Sequence, residues 1–191
     1  MNKKILFFDI DGTLLTRDFK IPDSTRTALK KAQENGHLIF VNTGRTRAML
    51  PPSVSELGFD GYVLGCGSHI YLHDKLLFFR TVPNLLCKET VQLLRKCKIE
   101  ALFEGNTEIM YDSASPAQSS FGEKMRQEIP MVDINKFGRE EACTYSFDKF
   151  LVHMLPDSQV EKFRGFCEEH FSYFDHGDGI WEVIQKGISK A

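Results

Sequence analysis

The stretch Phe7–Leu15, FFDIDGTLL, decides the fold of this 191-residue chain. The apolar run Lys4–Phe8 leads into it and predicts a short strand that is buried on both faces. Aspartate is disfavoured inside strands, so Asp9 and Asp11 are expected at the exposed end of this strand. Because side chains two residues apart in extended backbone share a face, the two carboxylates can address one small volume.

A second apolar run follows after a predicted helix. Ile21–Ser24 begins the helix, Gly36 ends it, and His37–Val41 is the next predicted strand. A strand, a helix and a strand in this order predict a parallel pair. In parallel sheets ligands collect at the carboxyl ends of the strands, so Thr43 is expected at the same rim as Asp9.

The rest of the chain predicts a third strand and then a second lobe of antiparallel pairs covered by helices. Residues 62–64 form the third strand, and 70–72 with 76–79 form a hairpin near the end of the first lobe. The second lobe has helices at 83–97, within 113–128 and at 157–170, a strand at 150–155, and hairpins at 99–103 with 108–111 and at 171–174 with 180–184. Asp157 is the candidate cap of its helix, and residues 131–144 are assigned no structure.

Composition excludes several classes of partner. The formal net charge is −2, without the basic excess that nucleic-acid binding requires. No apolar run approaches the roughly 20 residues of a membrane span, and the N-terminal run is too short for a signal peptide, so a cytoplasmic protein without a membrane partner is expected. The cysteines form an odd set with no two-residue spacing, which argues against disulfides and zinc: Cys66, Cys87, Cys97, Cys143 and Cys167. The oligomeric state is left open.

The residues at the predicted rim suit phosphoryl transfer. An ionised Asp9 can attack phosphorus to give an aspartyl-phosphate, while Asp11 can protonate the leaving oxygen and later deprotonate the attacking water. Two carboxylates repel a phosphate, so the site requires a cation, and oxygen ligands suit magnesium. Gly12 lets backbone amides approach the phosphate, and the Thr43 hydroxyl and a lysine ammonium would complete the cradle.

Three segments resemble motifs of one family. Asp9–Thr13 resembles the first motif of the haloacid dehalogenase superfamily, Asn42–Arg45 the second motif of its Cof-type phosphatase branch, and Gly187–Lys190 the third motif of that branch. Three motifs in order are far more specific than any one of them. The resemblance implies an α/β fold with a Rossmann-like parallel-sheet core in residues 1–82, an inserted α+β cap in residues 83–186, and the start of a returning core segment in residues 187–191.

The resemblance also implies an activity and a set of roles. By it, Asp9 is the nucleophile and a magnesium ligand, and Asp11 is the acid/base whose backbone carbonyl also binds magnesium. Thr43 is a phosphate ligand, and Lys190 neutralises charge. Further contacts to phosphate or substrate are Gly12, Gly44 and Arg45. The implied enzyme is a magnesium-dependent phosphatase for small phosphorylated metabolites such as sugar phosphates, nucleotides or phosphorylated cofactors.

Two alternatives remain open at this point. One is a phosphomutase, which would use the same nucleophile but return the phosphate to a sugar. The other is an inactive fragment or a phosphate-binding module, because the family's fourth motif, which supplies further magnesium carboxylates, is expected beyond Lys190 and the sequence looks cut short at Ala191. Gly177–Gly179 precedes Lys190 and is interpreted as a hairpin turn. His69 and His73 are interpreted as packed or exposed histidines and not as metal ligands.

Overall fold

The computed structural model describes residues 2–137 and 145–190 of the chain. The chain divides into two compact units, Met1–Arg80 with Ile188–Ala191 (the core unit) and Thr81–Gly187 (the inserted unit). Both are mixtures of helices and strands, so the fold class is α/β. The boundaries expected from the sequence, after residues 82 and 186, lie within two residues of the boundaries between the units, after residues 80 and 187.

The core unit is built on a five-stranded sheet in the order β1-β2-β3-β4-β5. Its strands are β1 Ile5–Phe8, β2 Leu38–Asn42, β3 Gly61–Leu64, β4 His69–Leu72 and β5 Lys75–Phe79. The first three strands are parallel to one another, and β4 and β5 are added antiparallel as a hairpin. The predicted parallel strands and the hairpin are therefore confirmed.

Two helices cover one face of this sheet. Helix α1, Asp23–Glu34, begins directly after a proline, whose fixed φ suits the entry to a helix. Helix α2, Pro52–Ser55, is only four residues long and follows a 3₁₀ turn, Arg47–Met49. Leu29 of α1 and Val54 of α2 belong to the same apolar cluster. This cluster fixes the strands whose ends carry the site.

Strand β1 is an edge strand, and it is partly buried on one face and exposed on the other. Leu6 and Phe8 pack against the apolar cluster of the core unit. Ile5 and Phe7, on the other face, are 55% and 56% exposed. The expectation of a strand buried on both faces is therefore wrong for the described residues, because both helices lie on the Leu6 and Phe8 side.

The inserted unit contains a six-stranded sheet in the order β10-β11-β9-β6-β7-β8. Its strands are β6 Ile99–Glu104, β7 Ile109–Tyr111, β8 Val132–Asp133, β9 Lys149–Met154, β10 Phe171–Asp175 and β11 Ile180–Gln185, and its helices are α3 Asn84–Cys97, α4 Ser120–Glu128 and α5 Val160–His170. All strand pairs are antiparallel except β7 with β8. The predicted helices and hairpins of this lobe are confirmed.

Aromatic packing holds the two longer helices of the inserted unit to its sheet. Phe150 of β9 lies opposite Phe103 of β6 and Val183 of β11. Its ring also packs against Phe163 of α5 at a centroid distance of 6.5 Å. All four side chains belong to a single buried cluster that also includes Val91 of α3. One face of this sheet is therefore a conventional apolar core.

Two expectations for this lobe are wrong. Helix α5 begins at Val160, and Asp157 does not cap it, because its carboxylate accepts a hydrogen bond from Lys98 Nζ at 2.8 Å. The start of the segment 131–144 is ordered into β8 and the 3₁₀ turn Ile134–Phe137. A two-residue strand is too short to leave a periodic signal in the sequence.

The four cysteines that the structure describes are buried free thiols: Cys66, Cys87, Cys97 and Cys167. Cys143 lies in the segment 138–144, outside the described residues. Among the helices of the described ranges, none has the length and apolar character needed to cross a membrane.

Candidate active site

The candidate active site lies where β1 and β2 end. Phe8 pairs with Val41 in parallel register, which brings the carboxyl ends of the two strands side by side. Asp9 and Asp11 follow the first strand, and Thr43 follows the second. The parallel sheet therefore places the predicted carboxylates and the predicted phosphate ligand at one edge, as the sequence suggested.

Asp9 forms an ion pair with Lys190. The Lys190 Nζ lies 2.7 Å from Asp9 Oδ1, and the backbone N–H of Ile10 donates to the same oxygen at 2.8 Å. Both side chains keep more than a third of their surface exposed, so the pair is open to a ligand. Within the described residues, no hydrogen bond involves Asp9 Oδ2. One oxygen is thus held by two donors, and the other is available for reaction.

Asp11 is paired with Arg45 through two parallel hydrogen bonds. Arg45 Nε and Nη2 donate to Asp11 Oδ2 and Oδ1, each at 2.9 Å. These bonds hold the pKa of Asp11 below its ordinary value; partial burial opposes the effect, and the charges of Arg45 and Lys190 reinforce it. Asp11 is therefore a carboxylate near neutral pH, and the ammonium of Lys190 acts on both aspartates.

Thr43, at the rim, is hydrogen-bonded to the backbone of Arg45. The side chain is nearly inaccessible, with 1% exposure, and its Oγ1 accepts a hydrogen bond from the Arg45 N–H at 3.2 Å. The hydroxyl proton is not used in that bond, so it can be donated to an anion. Gly44, between these two residues, is half-buried.

Gly12 gives the loop after β1 an open backbone. Its φ of +74° is one that residues with a side chain rarely adopt, and no atom lies within 4 Å of the position that a Cβ would take. A phosphate can therefore approach the backbone here without meeting a side chain.

The structural role of Asn42 in this site was not predicted from the sequence. Asn42 Nδ2 donates a hydrogen bond to the backbone carbonyl of Lys190 at 3.0 Å. This bond joins the end of β2 to the segment that carries the lysine paired with Asp9. The only signal in the sequence was its position directly before Thr43.

A turn after β3 contacts both the segment with Thr43 and Arg45 and the segment with Lys190. The sequence did not predict this role of the turn. The N–H of Gly65 donates to the Arg45 carbonyl at 2.8 Å, and the N–H of Cys66 donates to the Thr43 carbonyl at 3.1 Å. At Gly67 a Cβ would lie 2.9 Å from the Ser189 carbonyl oxygen, closer than real contacts allow. The signal in the sequence was the pair of glycines, which permit close approach of two backbones.

The donors at this rim fit a magnesium ion in part. Magnesium is commonly held by one or two carboxylates together with substrate phosphate and water, and the Asp9 carboxylate is a ligand of that kind. Both carboxylate oxygens of Asp11, in contrast, are engaged by Arg45. In residues 2–137 and 145–190, no group of three or more His, Cys, Asp or Glu side chains could hold a metal. The further magnesium carboxylates that the family resemblance implies stay a prediction.

The glycine turn and the histidines, which the sequence did not favour as metal sites, have structural roles. Gly177–Gly179 is the turn between β10 and β11, with positive φ values of 84°, 50° and 74° for its three residues. His69 is buried between the rings of Tyr71 and Phe79, and burial lowers its pKa. His73 lies in the turn between β4 and β5. The turn and the packed histidine are confirmed.

Comparison with known proteins identifies the family of the chain. A family model described as haloacid dehalogenase-like hydrolase matches residues 6–191. The putative phosphatase YkrA of Bacillus subtilis is 32% identical over 84 residues, covering 44% of this chain and 33% of that protein. The pyridoxal phosphate phosphatase YbhA of Escherichia coli is 27% identical over 115 residues, covering 59% of this chain and 42% of that protein. The matches thus span less than half the length of these relatives.

The fold has counterparts among solved structures. The sugar phosphatase BT4131, a haloacid dehalogenase superfamily protein of subclass IIB, superposes with a TM-score of 0.73 at 22% identity. The superposition covers 99% of this chain and 72% of that one. Both units of this chain therefore have a counterpart in one known fold.

Proposed function

Because the chain belongs to the haloacid dehalogenase-like hydrolases, we propose that it hydrolyses small phosphate monoesters through an aspartyl-phosphate on Asp9. The observation that carries the proposal is the contact of 2.7 Å between Lys190 Nζ and Asp9 Oδ1. It joins the first and the last of the three motifs at the edge where Asp11 and Thr43 also lie. No single motif would support the same conclusion.

In the first step Asp9 is the nucleophile. Its Oδ2 attacks phosphorus, the bond between phosphorus and the ester oxygen breaks, and the leaving oxygen takes a proton from Asp11. Lys190 holds Asp9 Oδ1 and offsets the negative charge that gathers around the phosphate. The Thr43 hydroxyl and the open backbone at Gly12 hold the phosphoryl oxygens.

Arg45 opposes protonation of Asp11. In the structure Arg45 occupies both Asp11 oxygens and keeps the group ionised. A dianionic phosphate competes for the same guanidinium, since arginine binds phosphate and carboxylate with the same planar geometry. Transfer of Arg45 to the substrate leaves Asp11 free to take up the proton that it later donates.

In the second step Asp11 acts as a base. Its carboxylate takes a proton from a water molecule, the water oxygen attacks phosphorus, and the bond to Asp9 breaks to release inorganic phosphate. A magnesium ion, held by Asp9 and the backbone carbonyl of Asp11, would supply charge neutralisation for the phosphoryl oxygens. Asp11 thus regains the proton that it gave to the leaving oxygen, so no other residue has to supply or take one.

We further propose that the substrate is a small phosphorylated metabolite. The relatives include proteins named pyridoxal phosphate phosphatase and HMP-PP phosphatase. The exposed ion pair of Asp9 and Lys190 is compatible with a compact anionic substrate.

Phosphate release by the purified chain tests the proposal. With pyridoxal phosphate, glucose 6-phosphate and an aryl phosphate as substrates, we expect magnesium-dependent release that Asp9→Asn lowers by at least about a thousandfold. Asp18→Asn, at an exposed acid of the same unit, is the matched control and should leave the rate unchanged. Binding of phosphate without turnover by the unaltered chain would contradict the proposal and favour a phosphate-binding module.

A further inference from the structure

The core unit contains a second concave site that shares no residue with the candidate active site. It is a cavity of about 250 Å³ between the segment 47–55 and strands β3 and β4. Its floor is formed by Leu50, Tyr62, Leu64 and Tyr71. The other four lining residues are polar, so the cavity suits a small ligand that has both an apolar body and charged groups.

Arg47 supplies a cation at this rim. Its guanidinium lies 4.9 Å from the centroid of the Tyr71 ring, within the range of a cation–π contact. No carboxylate of the described residues forms an ion pair with Arg47. The five donors of the guanidinium are thus available to an anion, and the ring beneath them limits their motion.

Asp74 supplies an anion on the same cavity. It lies in the turn between β4 and β5, and it forms no ion pair with any described residue. Tyr62 reports that both charges are near it: burial raises the pKa of its hydroxyl, Arg47 lowers it, and Asp74 raises it. Arg47 and Asp74 thus line the same cavity as Tyr62 and carry opposite charges.

We propose that this cavity binds a small zwitterion with an aromatic or aliphatic body, of the amino-acid type. The carboxylate of the ligand pairs with Arg47, its ammonium group pairs with Asp74, and its side chain lies on the tyrosine and leucine floor. Each charge of the cavity is then matched by an opposite charge. A simple anion would leave Asp74 unmatched, and a simple cation would leave Arg47 unmatched.

Three probes of the same size test the assignment by calorimetry on the full chain. L-phenylalanine carries both charges, 3-phenylpropionate only the negative one, and phenethylamine only the positive one. We expect L-phenylalanine to bind about tenfold more tightly than either of the others, because each lacks one charged hydrogen bond. Equal affinities of the three probes, or no binding of L-phenylalanine, would overturn the proposal.

Two variants locate the binding. Arg47→Gln is expected to weaken the binding of L-phenylalanine and 3-phenylpropionate about tenfold without affecting that of phenethylamine. Asp74→Asn is expected to weaken the binding of L-phenylalanine and phenethylamine about tenfold without affecting that of 3-phenylpropionate. Both positions are exposed, so folding should be preserved, which thermal unfolding checks. Arg45→Gln is the matched control, because that arginine belongs to the other site. If it alone weakened binding, the ligand would be in the candidate active site and the proposal would be wrong. No phosphatase assay enters this test, so its outcome is independent of the proposed hydrolysis.

Discussion

Asp11 has to meet opposite demands within one catalytic cycle. As an acid it must hold a proton, and as a base it must have lost one. The two hydrogen bonds from Arg45 favour the second state, because they lower the pKa of the carboxyl. We therefore regard the structure as the base form of the site. A bound phosphate favours the acid form, because it draws Arg45 away and its own negative charge opposes ionisation of Asp11.

Replacing Arg45 tests the pairing of Arg45 with Asp11. Arg45→Gln should raise the pKa of Asp11, because it removes the hydrogen bonds and the charge of Arg45, and the partial burial that remains acts more strongly on the carboxyl than the charge of Lys190 does. The ionised form of Asp11 stabilises the fold above the ordinary pKa, and that stabilisation is lost as pH falls through the lowered pKa. It is small, because the side chain is 53% exposed.

A carbon-detected NMR titration of the Asp11 carboxyl measures this pKa directly. Arg47→Gln, in the next turn of the same segment, is the control and should leave the titration unchanged. If the pKa of Asp11 were the same in the Arg45→Gln variant and in the unaltered chain, Arg45 would not hold the carboxylate.

At the level of single residues the sequence was informative where chemistry and position coincide. Asp9 and Asp11 could be predicted because an apolar run that ends abruptly in two carboxylates must leave them at the exposed end of its strand. Asn42 could not, because its part is a hydrogen bond to the backbone of Lys190, 148 residues away in the chain. Such contacts depend on tertiary structure and leave no local pattern.

Among the elements, the turn Gly65–Gly67 organises the site. It donates to the carbonyls of Thr43 and Arg45, and its last glycine packs against the carbonyl of Ser189. The segment with the phosphate ligand and the segment with Lys190 are thus held by one short turn. A displacement of either segment would separate Lys190 from Asp9.

Gly67→Ala tests this arrangement. A Cβ there would lie 2.9 Å from a backbone oxygen at a φ of +100°, so the segment with Lys190 must move, and we expect kcat to fall at least about tenfold. Circular dichroism at room temperature should show a folded protein. Gly165→Ala, at an open position in α5, is the control, with unchanged kcat and an increase in the free energy of unfolding of about 1 kcal/mol. An unchanged kcat for Gly67→Ala would refute the role of the turn.

A buried acid makes the stability of the inserted unit depend on pH. Asp148, directly before β9, is 2% exposed, and burial together with the charge of Glu104 raises its pKa to about 7. The folded state therefore binds a proton that the unfolded state releases near pH 4. The stabilisation is complete below that pH and is lost as pH rises toward about 7.

Asp148→Asn should remove this dependence. We expect the variant to match the unaltered chain at pH 4 and to exceed its free energy of unfolding by at most about 4 kcal/mol at pH 8. Urea denaturation at both pH values measures the difference, and Asp178→Asn, in an exposed turn, should show none. If the free energy of unfolding changed equally between the two pH values in Asp148→Asn and in the unaltered chain, the raised pKa would be contradicted.

The elements also show where sequence patterns are sufficient. The parallel strands and the closing hairpin of β10 and β11 were predictable from apolar runs and glycine turns. The exposed face of β1 was not, because a run such as Ile5–Phe8 has the same pattern whether one or both faces are covered. The strand β8, with two residues, was below the length at which periodicity exists.

In the whole molecule the candidate site depends on both ends of the core unit. Asp9 comes from its first strand, and Lys190 comes from the segment that follows the inserted unit. The order of the motifs made this arrangement predictable, since a family resemblance carries information about tertiary structure that periodicity lacks. The cavity beside Arg47 carried no such signal, because its lining comes from separate elements.

The most direct test of the central claim is a search for phosphate bound covalently to Asp9. The chain is quenched in acid during turnover of an aryl phosphate with magnesium, digested and examined by mass spectrometry. We expect an acyl phosphate, sensitive to hydroxylamine, on the peptide that contains Asp9, and none in the Asp9→Asn variant. Turnover without a phosphorylated peptide, or with the phosphate on another residue, would contradict this claim.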